Sequence, residues 1–114
     1  MDLVRLANDA EEISQSYARR HGITRDRAWF LLKLQEEVGE LTQAFLMRTG
    51  QARSKGCSSQ EIEEIFQGEL ADVLCHVLLL ARHHGVDLEE AVERKWLVWK
   101  PVSPAAAVTP EPAG

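Results

Sequence analysis

Five acids carry the chemical interest of this sequence: Glu36, Glu37 and Glu40 in the run EEVGE, and Glu69 and Asp72 in the run ELAD. On a helix, residues three apart project about 60° from one another, close enough for two carboxylates to share a target. Glu37 with Glu40 makes one such pair, and Glu69 with Asp72 makes another. If the two helices pack antiparallel, the pairs face one another. Four carboxylates in one place repel and persist as anions only with compensation. Mg²⁺, a hard cation that prefers oxygen ligands and bridges to substrate phosphates, matches that donor set, with Mn²⁺ as its substitute.

The second pair lies in the most apolar stretch of the chain, ELADVLCHVLLLA from Glu69 to Ala81. A helix apolar nearly all round is expected to be buried. Asp72 is therefore expected out of water, where an ionised carboxylate needs a cation or strong donors. A metal shared with the first pair is one answer, and an arginine from another helix is the alternative. His76, one turn after Asp72, reads as a hydrogen-bonded core residue, because a hard cation has little use for imidazole. Gly39, costly inside a helix by about 1 kcal/mol relative to alanine, suggests a close approach beside the acids.

Helices must position these groups. Leu3, Leu6, Ala10, Ile13 and Tyr17 form one apolar face of a first helix over about 2–21, ending near Gly22. Thr24 can cap a second over 24–49, whose stripe is Leu31, Leu34, Val38, Leu41 and Phe45. Residues 50–58 read as a mobile surface loop. Ser58 with Glu61 forms a capping-box pattern that opens a third helix over 59–84, and Gly85 suits a left-handed C-terminal position. Asp87 with Glu90 repeats the capping logic for a fourth helix over 87–99. The expected fold is an all-α, four-helix bundle in a single domain, residues 1–100, with a disordered Pro/Ala-rich tail over 101–114. Because three short neighbours leave so apolar a third helix undercovered, completion by oligomerisation, as a homodimer or homotetramer, is expected.

Bulk properties exclude several function classes. The 114 residues carry a net charge of -5, which argues against binding a nucleic-acid polymer through clustered basic residues. The apolar runs are shorter than the ~18 residues that suggest a membrane span. No secretory signal pattern is visible, so a cytoplasmic location is expected. Cys57 and Cys75 lack metal-ligand spacing.

The EEVGE and ELAD motifs, with LQEEVGELTQAF and GELADVLCHVLLLARHHGVDLEEAVERK around them, resemble the MazG-like all-α nucleoside triphosphate pyrophosphohydrolases over roughly residues 30–95, particularly their dCTP pyrophosphatase branch. The resemblance implies Mg²⁺-dependent cleavage of a nucleoside triphosphate between the α and β phosphates, giving the monophosphate and pyrophosphate, in the service of cleaning the nucleotide pool. It implies Glu37, Glu40, Glu69 and Asp72 as metal ligands and Glu36 as the group that holds or deprotonates the attacking water. Lys95 corresponds to a basic residue of the family's last helix, although the WLVWKP that follows departs from that branch. Lys55 and Arg48, in and beside the loop, could close over the phosphates, and Trp29 could stack on a base. Phosphoribosyl-ATP pyrophosphohydrolase ranks second among enzymes, and a non-catalytic helical dimer for nucleotide sensing or protein interaction is the alternative of another class.

Overall fold

A computed structural model describes residues 2–101. They form α1 (Leu3–His21), α2 (Arg27–Arg48), α3 (Ser59–His83) and α4 (Leu88–Lys95), followed by a short 3-10 turn over Leu97–Trp99, with no strand among the described residues. The expected all-α, four-helix architecture is what the chain adopts. Apart from Pro101, the tail expected over 101–114 lies outside the described residues.

Local signals set most helix ends. Gly22, at φ 63°, closes α1 with its N–H on the Ala18 carbonyl, a left-handed position that glycine adopts without strain. The Ser58–Glu61 capping box is complete, each side chain accepting from the other residue's backbone N–H, and Asp87 caps α4 through the Glu90 N–H. Two boundaries differ from expectation. Asp26, not Thr24, caps α2 by accepting from the Trp29 N–H, because the link from α1 stays non-helical up to Arg27. The fourth helix stops at Lys95 rather than 99, tightening into the 3-10 turn.

The α2–α3 hairpin is the spine of the fold, and its pairings show the antiparallel run. As α2 advances α3 recedes: Phe30 stacks on His83, Phe45 meets Phe66, and Arg48 pairs with Glu63. α1 lies against this hairpin through small residues, with Ala10, Ser14 and Ala18 turned inward. The expected α1 stripe is therefore rotated: Ile13 is 69% exposed, since Ala and Ser at four-residue steps permit the closer helix approach. Phe30, Ala10 and Leu79 make the core, with Trp29, Cys75 and Leu80 packed on it.

On α2 the inward positions are Phe30, Glu37 and Ala44, while Leu31, Val38 and Phe45 remain largely exposed. Leu70 and Leu74 of α3 are each 46% exposed. The chain by itself thus leaves the middle of α3 open, and Asp72 is exposed rather than buried. The physical reason is coverage: α1 and α2 flank α3, whereas α4 has no buried residue. Gly39 also departs from expectation, since a Cβ added there would meet nothing within 4 Å.

Candidate metal centre

The hairpin brings three of the predicted ligands together. Glu37 and Glu40 of α2 and Glu69 of α3 each offer a carboxylate oxygen, all within 4.8 Å of one another. Glu37 is the buried member, with 7% of its surface exposed. Glu37 Oε2 and Glu69 Oε2 are buried without a hydrogen-bond partner. Such atoms are costly unless something satisfies them, and carboxylate oxygens from two helices converging on one point fit a hard divalent cation.

Electrostatics agree with the geometry. Burial, then the charges of Glu40 and Asp72, push the Glu37 carboxyl up to about 7, with Lys33 opposing. Burial and the same two neighbours also raise Glu69. Without a counter-ion Glu37 therefore holds its proton up toward neutrality, and a metal ion would displace it. Asp72 acts on both glutamates at short range but stands outside the group of three oxygens.

Beside the acids opens a cleft of about 420 Å³ between α1, α2 and α3. Glu37 and Asp72 line its acidic end, and Trp29, Tyr17, Lys33 and His76 line the remainder. Trp29 stands edge-on to His76, with ring centroids 6.4 Å apart. His76 Nε2 is 3.9 Å from Glu37 Oε1, and its Nδ1 is buried and unpartnered. Burial, then Lys33, depresses the imidazole pKa, so His76 is neutral at pH 7. Lys33 Nζ lies 3.4 Å from Glu36 and 3.6 Å from Glu37. Burial works against its charge, but the two glutamates outweigh that and hold its pKa above the ordinary lysine value.

Other sequence candidates fall elsewhere. The Glu36 side chain is 56% exposed and stands 3.4 Å from the Lys33 ammonium, outside the group of three oxygens. Arg48 is occupied by Glu63 and lies over the Phe66 ring at 4.9 Å. Lys55 sits in the loop at φ 55°, and Lys95 ends the exposed α4. Arg48, Lys55 and Lys95 line neither the cleft nor the acid cluster. Lys33 was the residue missed from sequence, although a lysine four positions before Glu37 is a recognisable helical ion-pair spacing.

The all-α bundle and the three carboxylates gathered across its α2–α3 hairpin accord with the MazG-like all-α NTP pyrophosphohydrolase superfamily, to which the phosphoribosyl-ATP pyrophosphohydrolase family belongs. A family model described as phosphoribosyl-ATP pyrophosphohydrolase matches residues 5–94, which span α1 to α3 and nearly all of α4. The chain belongs to that family. No individual curated protein matches the chain. The family matched is the one ranked second from the motifs, and the match does not speak for the dCTP pyrophosphatase branch.

Proposed function

We propose that the chain is a Mg²⁺-dependent pyrophosphohydrolase that cleaves a nucleotide triphosphate between the α and β phosphates, releasing pyrophosphate and the monophosphate. The observation that carries this reading is the convergence of Glu37, Glu40 and Glu69 with two unpartnered buried oxygens, placed at the mouth of a cleft that an aromatic nucleoside could enter. When bound, the metal would lower the pKa of an attacking water and offset charge on the phosphoryl oxygens. Glu37, Glu40 and Glu69 would hold it, with Asp72 joining from the cleft side. Glu36, more than half exposed beside Lys33, is the acid left to hold or deprotonate the water, and Trp29 and Tyr17 would receive the nucleoside.

Two substrates follow from different observations. The family match favours phosphoribosyl-ATP, whereas the EEVGE and ELAD resemblance favours a canonical or modified deoxynucleoside triphosphate. Pyrophosphate release, scored against orthophosphate, across a panel containing phosphoribosyl-ATP and the dNTPs at millimolar Mg²⁺ separates them. Complementation of a histidine auxotroph gives an independent answer for the first. Tight binding without turnover of any member would instead favour a nucleotide sensor, and neither binding nor turnover would remove the reading altogether. The same reading includes a second copy of the chain over the open side of α2 and α3.

A further inference from the structure

Lys33 is the only lysine or arginine among the residues lining the cleft, and it is held unlike Arg25, another largely buried cation. Arg25 grips Glu11 with two guanidinium nitrogens, at 2.9 and 2.8 Å. The Lys33 ammonium instead stands 3.4 Å from Glu36 and 3.6 Å from Glu37, beyond the roughly 2.7–2.9 Å of a tight charge-assisted hydrogen bond. Its third neighbour is the Tyr17 ring, 5.8 Å away. With 18% of the side chain exposed, the cation is largely desolvated yet committed to no single partner.

Its position decides what it could serve. Glu37 is shared between the acid cluster and the cleft, so Lys33 stands at their junction. A divalent cation on Glu37 would neutralise the carboxylate that now attracts the ammonium. The group would then lie partly buried beside a metal ion, and an anionic ligand oxygen at that junction restores its compensation. Lysine is well suited to this task as a point charge with three donors.

We propose that Lys33 positions the phosphate chain of the bound nucleotide by donating from Nζ to a phosphoryl oxygen at the junction of the cleft and the acid cluster. This rests on the pyrophosphohydrolase reading. It also gives the site its positive side chain, since the basic groups Arg48, Lys55 and Lys95 line neither part of it.

Titration calorimetry with the α,β-methylene analogues of ATP and dCTP in Mg²⁺, run on wild type, Lys33→Met and Lys33→Arg, tests the assignment. Mn²⁺ affinity of the nucleotide-free proteins is measured alongside. Lys33→Met should weaken the better-bound analogue at least tenfold, leave Mn²⁺ affinity within about threefold or tighten it, and leave binding of the uncharged nucleoside unchanged. Lys33→Arg should recover part of the loss. Equal analogue affinity in wild type and Lys33→Met would overturn the assignment alone. Parallel loss of Mn²⁺ and analogue affinity in both variants would overturn it too, by showing that Lys33 only holds Glu37 in place. A wild type that binds neither analogue and releases pyrophosphate from neither phosphoribosyl-ATP nor any dNTP takes the pyrophosphohydrolase reading down with it.

Discussion

His76 Nε2 faces Glu37 Oε1 at 3.9 Å across the α2–α3 contact. The two groups are displaced in opposite directions, the carboxyl upward to about 7 and the imidazole downward, and burial is the first cause of both. Each is thereby moved toward its neutral form.

A pH dependence follows from Glu37. Its folded-state value lies above the ordinary 4.5, so the folded state binds the extra proton between about 4.5 and 7 and stability falls as pH rises through that window. His76 works against this, since a depressed imidazole pKa makes stability rise toward pH 6.5. Comparing Glu37→Gln with wild type isolates the carboxylate. The variant's melting temperature should exceed that of wild type by more at pH 7 than at pH 5 in metal-free buffer, and a constant difference would contradict the shift.

Divalent cations should act on the same balance. Binding to the folded state alone stabilises by mass action, about 2.7 kcal/mol at a hundredfold excess over Kd. Millimolar Mg²⁺ or Mn²⁺ should therefore raise the wild-type melting temperature at pH 7, EDTA should reverse it, and Glu37→Gln should abolish the response. A cation-independent melting curve would argue against a metal at Glu37, Glu40 and Glu69.

Glu36 and Glu40 differ by one turn and should separate in function. Glu40→Gln removes one of the three convergent oxygens and should weaken Mn²⁺ binding together with turnover. Glu36→Gln, on the exposed side of α2, should retain Mn²⁺ binding and slow turnover by about 10²–10⁴, the usual contribution of a general base. Isothermal Mn²⁺ titration beside a pyrophosphate assay checks both.

Stability at the middle of α1 rests on an ion pair. Arg25 donates to both Glu11 oxygens and to Ser14 Oγ, and its hydrogen bonds draw the Glu11 carboxyl down to about 2. Arg25→Met should cost about 1–3 kcal/mol in urea unfolding, because it leaves a largely buried carboxylate with only the Gln15 amide and the more distant Arg82. That loss should shrink as pH falls from about 4.5 toward 2, where Glu11 protonates and the wild-type pair loses its advantage.

Much of this was legible in the sequence, for identifiable reasons. Caps are local, so Gly22, Ser58 with Glu61, and Asp87 could be read directly, and the EEVGE and ELAD spacings already implied one face for each pair. Helix rotation was not local. The Leu31, Leu34, Val38, Leu41, Phe45 stripe looked like the core face of α2, yet the buried positions are Phe30, Glu37 and Ala44, while Leu34 and Leu41 are half-buried and Leu31, Val38 and Phe45 exposed. A sequence with two apolar faces does not say which one its own chain covers. The same ambiguity made Asp72 look buried, and it hid the place of Lys33, whose spacing to Glu37 is readable but whose position on the cleft is not.

The half-exposed face of α2 has its own geometry. Leu31, Val38 and Phe45 recur every seven residues, slightly under two turns of a straight helix. Such a seam drifts by roughly 20° per repeat, and a helix that stays on it must wrap with a left-handed sense. Were a second copy of the chain to pack a helix on this face, that helix would cross α2 at a shallow angle, of about 20°, rather than steeply.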